Sequence, residues 1–520
     1  MHPHLRRRWA APVLLALVSP ALVASPAAAT NPDTSALRDA VTVEGVSEHL
    51  DALQKIAEEN GGTRVSGTAG YDASGDYVAD RLLDAGYRVT EQEFTFPYFE
   101  QTAPATFART APTERAYAAE EFAVAQFSGS GAASAPLQAV ADNLVPPPPE
   151  PNSSNAGCQA EDYAGFQAGN IALVQRGTCT FGEKALAAAA AGASALIIFN
   201  EGQEGRTEVV QGTLGGPLPE GSDIPVIGTT YAIGEELTTL LGAGEVRVDI
   251  TTATLSEQRT TSNYLAETRT GRTEEVVVVG AHLDSVSEGP GINDNGSGSA
   301  TVLEIAEQFA ALDVQPRNAV RFAFWGAEES GLLGSTHYVA GLTEQERADI
   351  ALNLNFDMLG SPNFARFVYD GDGSDTPVAG PPGSADIERV FLDHFAAAGL
   401  AAEPTEFSGR SDYGPFIAVG IPAGGLFSGA EGIKTEAQVA LYGGTAGVAY
   451  DACYHQACDD IANVSEQSLS ELGDAAAHAT LWFASAETLP GAAPAEAAVA
   501  GGGAAGGGAV SGGHDGHADR

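Results

Sequence analysis

Lysine is almost missing from this 520-residue chain: Lys55, Lys184 and Lys434 are the only three, against 68 Asp and Glu, and the formal net charge is −43. That balance repels polyanions, which excludes nucleic acid and anionic lipid surfaces as partners. The acidity reads as a solvated surface rather than as a grip on a cationic partner. Long apolar runs are scarce too. Ala10–Val23 is broken by Pro12 and Pro20 and is too short to span a bilayer. With Arg6–Arg8 before it and Ala27-Ala28-Ala29 after it, it reads as a secretory leader over residues 1–29. No later stretch has the length of a membrane helix, so the expected mature protein is soluble, secreted and extracellular. Cysteine is limited to Cys158, Cys179, Cys453 and Cys458. An even count in a secreted chain suggests two disulfides, and the sequence-local pairing, Cys158 with Cys179 and Cys453 with Cys458, is the simplest of the three possible. A four-Cys zinc site is disfavoured by the wide gap and the absence of CxxC knuckles.

What is present is enough apolar residue, 44%, for a large core, and the length suggests two or three domains at about 150 residues each. Val46, Leu50, Leu53 and Ile56 recur at helical spacing and predict a helix from Val43 to Glu59, stopped by Gly61-Gly62. A second helix is expected from Gly70 to Ala85 and a strand from Tyr87 to Phe96. From Val276 the chain alternates. A four-valine strand is followed by a loop, a helix at Ser299–Leu312, a strand at Ala319–Trp325, a helix at Leu332–Leu342 and a strand at Ile350–Phe356. Asp386–Ala398 and Gln467–Ala486 read as further amphipathic helices. This order predicts an α/β fold with a mainly parallel twisted sheet and helices on both faces.

Residues 103–255 have a different texture, with short strands such as Ile171–Val174 and Ala195–Phe199, an alanine-rich helix at Glu183–Ala191 and the Pro146–Pro149 run. The block reads as an inserted, β-rich domain that splits the main domain into residues 30–102 and 256–489. Its stretch IALVQRGTCTFGEKALAAAAAGASALIIFN, followed by IPVIGTT, resembles the protease-associated (PA) domain found in or beside several secreted hydrolases. Nothing in it suggests a catalytic cluster, and its protein partner is not indicated. Residues 490–520 are an Ala/Gly-rich tail expected to be disordered.

Chemistry gathers at the strand ends. His282, Asp284 and Asp294 follow the valine strand, Glu328-Glu329 follow Ala319–Trp325, Asp357 follows Ile350–Phe356, and His455 lies near the C-terminus. Two histidines and three carboxylates suit borderline cations such as zinc. Asp294 has two oxygens and can bridge a metal pair, which polarises a carbonyl and lowers the pKa of a shared water. Of the adjacent glutamates, Glu329 can ligate while Glu328 moves the proton. Asp284, two residues beyond His282, is placed to accept a hydrogen bond from the imidazole nitrogen that faces away from the metal. Each residue alone has a plainer explanation. His282 could be a satisfied polar residue, Asp357 a helix cap, Glu328-Glu329 a solvated turn, and Asn295-Gly296-Ser297 a glycosylation sequon. No Gly-Lys-Ser/Thr follows the glycine-rich loop, which disfavours a phosphate cradle. Together, at strand ends of one secreted domain, the residues favour a metal hydrolase. His49, His337, His394 and His478 fall within or beside helical patterns and read as ordinary packing histidines.

The ordered segments AHLDSVSEGPGINDNGSGS, RFAFWGAEESGLLGS, LNFDMLGSPN, GRSDYGPF, GIPAGGLFSG and YDACYHQACDD resemble the secreted dizinc aminopeptidases, the bacterial leucyl aminopeptidase and aminopeptidase Y family of zinc exopeptidases. The resemblance covers residues 40–100 and 260–486. It implies two zinc ions, one held by His282 and Asp357, the other by Glu329 and His455, with Asp294 bridging. It also implies Glu328 as general base, Tyr454 as hydrogen-bond donor to the oxyanion, Arg410 as a substrate contact, and a cis peptide between Asp294 and Asn295. The implied activity removes single, large apolar residues from peptide N-termini, with Met358 and Phe427 lining an apolar pocket. Tyr413-Gly414 depart from the His-Ala common in relatives and touch the pocket wall. Acidic positions for a structural calcium are not evident near Ala40-Val41, so no calcium is expected. A carboxypeptidase or glutaminyl cyclase of the same fold is the alternative enzyme. A decayed, non-catalytic binding protein is the alternative of another class, opposed by the intact ligands, Glu328 and Tyr454.

Overall fold

In the computed structural model, the strand Arg272–His282 lies at the centre of a sheet that runs through the molecule. Val276, Val277, Val278 and Val279 are all buried, which explains why this strand shows no polar alternation: both of its faces are covered. Val277 and Val279 pack on one side with Phe322, Leu354 and five long helices, while Val276 and Val278 pack on the other with Trp325, Tyr338 and Phe416. Each valine removed from water contributes roughly 1.5 kcal/mol or more. Asn318–Trp325 and Ile350–Phe356 flank it in parallel, and Ala423–Phe427 adds a further parallel strand beyond Ile350–Phe356. The order of this part is Glu403–Thr405, Phe367–Tyr369, Ala423–Phe427, Ile350–Phe356, Arg272–His282, Asn318–Trp325 and Arg247–Glu267. Antiparallel pairs occur only towards its two sides, where Phe367–Tyr369 meets Ala423–Phe427 and Asn318–Trp325 meets Arg247–Glu267.

The described residues are Met1 and 32–490; the expected leader and the tail beyond Pro490 lie outside them. The expected helices are present at Val43–Glu59, Ala69–Asp84, Gly298–Ala311, Leu333–Gly341, Ser384–Ala397 and Glu466–Ser485. Thr42 caps the first by accepting the Gly45 amide at 3.1 Å, and Gly61 and Gly62, at φ 86° and 92°, release the chain after it.

One strand is much longer than its sequence suggests. Arg88–Ala111 continues past Pro97 and pairs antiparallel with Arg247–Glu267, from Arg88↔Glu267 to Ala111↔Arg247. Along most of its length it has this one neighbour, and an edge strand tolerates the proline that a central one would not. This ribbon carries the chain from that sheet into residues 103–255. There Gly131–Ala139, Ile171–Gln175, Ala195–Phe199 and Val226–Thr229 form a parallel run, joined to the ribbon by Gly131–Ala139. Two apolar clusters cover its faces, one around Leu173 and Phe199, the other around Val174 and Ile198. The disulfides Cys158–Cys179 and Cys453–Cys458 form as the local pairing predicts. Among the described residues, no helix is long and apolar enough to cross a membrane.

Candidate metal centre

The C-terminal ends of three adjacent parallel strands deliver the predicted residues to one cleft. His282 is the last residue of its strand, Asp357 follows Phe356, and Glu328 and Glu329 lie in the turn after Trp325. Asp294 arrives from the turn Ile292–Ser297, and His455 from the loop closed by Cys453–Cys458. His282 Nε2 lies 3.3 Å from Asp294 Oδ1 and 3.4 Å from Asp357 Oδ1. His455 Nε2 lies 3.2 Å from Asp294 Oδ2 and 3.2 Å from Glu329 Oε2. The two oxygens of Asp294 thus face different histidines. Glu328 Oε2 stands 3.8 Å from His282 Nε2, slightly farther than the other carboxylates.

Charge in this cluster is unbalanced. Burial opposes the protonated form of His282, yet Glu328 and Asp357 raise its pKa well above the ordinary imidazole value. Burial acts likewise on His455, and bonds to Asp294 and Glu329 carry it up to about 10. Burial would lift Asp294, but hydrogen bonds from both histidines hold it well below the usual carboxylate range. Burial pushes Glu328 far up and Glu329 to about 7. Glu329 Oε1 and Asp357 Oδ1 are buried without a hydrogen-bond partner. Buried carboxylates that lack partners and crowd two imidazoles fit a bound cation, and this nitrogen and oxygen donor set suits zinc.

The surroundings hold these groups in place. His282 Nδ1 finds the main-chain carbonyl of Asp284 at 3.2 Å rather than its carboxylate, which is 3.6 Å away. The Asp284 carboxylate accepts the Glu328 amide at 3.2 Å, tying one ligand loop to the next. Ser411 donates to Asp357 Oδ2 at 2.5 Å. Asp459 accepts the amides of Asn293 and Asp294. Arg64, fully buried, donates to the carbonyls of Leu283, Pro290 and Gly291 and so holds the loop between His282 and Asp294. Asp412 is buried beside His282, and burial pushes it to about 7. Sequence reasoning missed Arg64, Ser411, Asp412 and Asp459. Asp412 and Ser411 sit within GRSDYGPF and Asp459 within YDACYHQACDD, so the motifs marked the segments without marking these side chains.

Tyr454 stacks on the His455 ring, with centroids 3.9 Å apart, and accepts a hydrogen bond from Arg410 Nη2 at 3.1 Å. Arg410 Nη1 is held by Glu431 at 2.7 Å. Met358, Tyr369, Tyr413 and Phe427 line the cleft as well. Tyr413 packs edge-on to Tyr369 at 4.7 Å and to Phe407 at 5.0 Å, giving the pocket an aromatic wall. The peptide between Asp294 and Asn295 is cis. Asn295 is fully buried and donates to the Phe356 carbonyl at 3.0 Å, so the sequon offers no site for a glycan on the folded chain.

A mixed α/β sheet whose strand ends focus two histidines and several carboxylates on one cleft is the layout of a metal-dependent hydrolase. The profile of peptidase family M28 matches residues 263–480, and that of the PA domain residues 140–237. An aminopeptidase of Pseudomonas aeruginosa (strain UCBPP-PA14) is 46% identical over 466 residues, covering 89% of this chain and 85% of its own. Leucine aminopeptidase 2 of Trichophyton rubrum is 47% identical over 319 residues, 61% of this chain and 62% of its own. Among solved structures, the aminopeptidase from Aneurinibacillus sp. strain AM-1 is similar with a TM-score of 0.64 at 25% identity, covering 88% of this chain and 97% of that one. A zinc aminopeptidase from Bacillus subtilis has a TM-score of 0.54 at 26% identity, covering 84% and 94%. The chain belongs to peptidase family M28 and carries a PA domain.

Proposed function

We propose that the protein is a secreted aminopeptidase that uses two zinc ions, His282 and Asp357 holding one, Glu329 and His455 the other, and Asp294 bridging both. The observation that carries this reading is the split of Asp294, Oδ1 at 3.3 Å from His282 and Oδ2 at 3.2 Å from His455. When bound, the metal pair polarises the scissile carbonyl and activates water. Glu328 is the general base and then the acid: buried next to a cation, it takes a proton from the attacking water and passes it to the leaving amine. Tyr454, its oxygen already accepting from Arg410, has its own proton free to donate to the oxyanion. Glu328 and Asp357 can also receive the substrate's α-ammonium, which is why a free N-terminus is required. Met358, Tyr413 and Phe427 favour an apolar first side chain, and the similarity to a relative named leucine aminopeptidase 2 supports the same preference. Secretion is supported by the two disulfides.

The test uses zinc-loaded protein with leucyl-p-nitroanilide, its N-acetyl derivative, and Glu328→Gln. The free-amine substrate is expected to release p-nitroaniline, the acetylated one not. Glu328→Gln is expected to lose roughly 10²–10⁴ in kcat while keeping its zinc. Equal rates on the two substrates would sink the aminopeptidase assignment, and a fully active Glu328→Gln would sink the role of the base.

A further inference from the structure

His49, whose helical position reads as that of an ordinary packing histidine, is buried with one ring nitrogen unpartnered. It projects from the helix Val43–Glu59, is 1% exposed, and has its Nδ1 fixed 2.7 Å from the Tyr77 hydroxyl. Its Nε2 makes no hydrogen bond. That bare nitrogen points at two carboxylates on the neighbouring helix Gly298–Ala311: Glu304 Oε2 at 3.4 Å and Glu307 Oε2 at 3.9 Å. The three ligand atoms lie within 4.8 Å of one another.

The neighbouring groups do not balance the two carboxylates. Glu304 and Glu307 are three residues apart on one helix face, where like charges repel. Arg81 holds Glu307 from the other side, Nε to Oε1 at 2.5 Å and Nη2 to Oε2 at 2.6 Å, and is shared with Glu48 at 3.4 Å. One guanidinium is thus divided between two carboxylates, Glu307 and Glu48. Glu304 is 4% exposed and receives only the neutral Gln308 amide, at 3.1 Å on Oε1. Residue 45 is glycine, and a Cβ there would stand 2.2 Å from Glu304 Oε1, so the missing side chain is what lets the carboxylate lie inward. Tetrahedral zinc with bonds near 2.0–2.1 Å separates its ligand atoms by about 3.3 Å. The 3.4 Å gap from His49 to Glu304 matches this, as do the 3.2–3.4 Å gaps of the strand-end cluster.

We propose that His49 Nε2, Glu304 Oε2 and Glu307 Oε2 form a further metal site, outside the cleft, for a zinc-like divalent cation. One imidazole nitrogen and two carboxylate oxygens are donors that such ions accept, and Tyr77 orients the imidazole through its other nitrogen. The ion joins the helices Val43–Glu59 and Gly298–Ala311, with Ala69–Asp84 bracing it through Tyr77 and Arg81. Its role is structural, since no cleft residue contributes.

The experiment is a zinc count on the full chain, stripped with chelator, reloaded with zinc alone, desalted and analysed by plasma mass spectrometry. His49→Gln and Glu304→Gln are each expected to carry one zinc per chain fewer than the parent and to unfold at lower temperature in zinc. Their hydrolysis of leucyl-p-nitroanilide should stay close to the parent's. Zinc counts equal to the parent's in both variants overturn the site, as does a further equivalent that binds only at millimolar zinc. If His49→Gln misfolds, Glu304→Gln decides, because it keeps the His49–Tyr77 bond. Neither variant touches the strand-end cluster, so the one-equivalent difference reads out even if that cluster binds no zinc.

Discussion

Asp459 grips the backbone on which Asp294 is mounted: one carboxylate oxygen accepts the Asn293 amide at 2.9 Å and the other the Asp294 amide at 3.0 Å. The main chain of Asp459 contributes as well, its carbonyl accepting the Ile292 amide at 3.0 Å. The segment that carries His455 therefore also sets the turn that carries Asp294, and the disulfide Cys453–Cys458 anchors that segment just before Asp459.

Asp459→Asn should therefore weaken the centre without removing a ligand. An amide can accept only one of the two N–H groups and presents its own N–H₂ to the other. Zinc affinity should fall by about 10- to 100-fold, the usual cost of losing a partner that orients ligands. Titration of metal-free protein with zinc, followed by activity, reads this directly. Affinity equal to the parent's would mean that the turn holds Asp294 without Asp459.

What the sequence made legible follows from the forces that act locally. Val276–Val279, buried on both faces, show as an unbroken apolar run, and the residues just past each strand end are ligand types that a bare turn does not require. The ribbon was less legible because Pro97 reads as a strand end, and only an edge position makes it compatible with continuing. Asp459 and Arg64 could not be found by spacing at all. They act through main-chain amides and carbonyls, which every residue has, so the partner leaves no mark in the sequence. The neighbours of His49 were hidden for a related reason: its carboxylate partners lie some 250 positions away on another helix.

Tyr454→Phe tests the oxyanion donor. The ring should still stack on His455, and Arg410 loses only its bond to the phenol while keeping Glu431. Burial holds the phenol far above its ordinary pKa, so the group carries its proton throughout the working range. The expected loss is about 10²–10³ in kcat with little change in KM, the cost of one transition-state hydrogen bond. A comparable rise in KM instead would assign Tyr454 to ground-state binding.

Lys184 supplies a pH-dependent signature of the PA domain. It is fully buried, donates to the Ala156 carbonyl at 2.6 Å, and burial lowers its pKa from 10.5 to about 8. Below pH 8 both folded and unfolded chains hold the proton, and the burial penalty is present in full. Between pH 8 and 10.5 the unfolded chain keeps a proton that the folded one releases, so stability rises with pH. Relative to Lys184→Met, the parent should gain up to roughly 3 kcal/mol across that window. The constant offset from leaving the Ala156 carbonyl unpaired does not change with pH. Urea unfolding of both proteins at several pH values checks the slope, and a pH-independent difference would contradict the assignment.

The ribbon makes the role of the insert testable without guessing a boundary. Ala103 pairs with Ala253, and beyond one register shift the ribbon runs unbroken from Gln101↔Thr254 back to Arg88↔Glu267 at the main sheet. Replacing residues 104–252 by a two-residue turn should therefore close the ribbon as a hairpin, since antiparallel partners stand only about 4.5–5.5 Å apart. Every strand-end ligand, along with Asp459, Arg64 and Tyr454, lies outside the excised stretch. The shortened protein should bind zinc as before and hydrolyse leucyl-p-nitroanilide at a rate close to the parent's. Its discrimination between that small substrate and a long peptide with the same N-terminal residue should change, because the PA domain is what it has lost. The ratio of kcat/KM on the two substrates is the measurement. An unchanged ratio would remove the PA domain from substrate selection, and collapse of the small-substrate rate would show that the insert supports the metal centre itself.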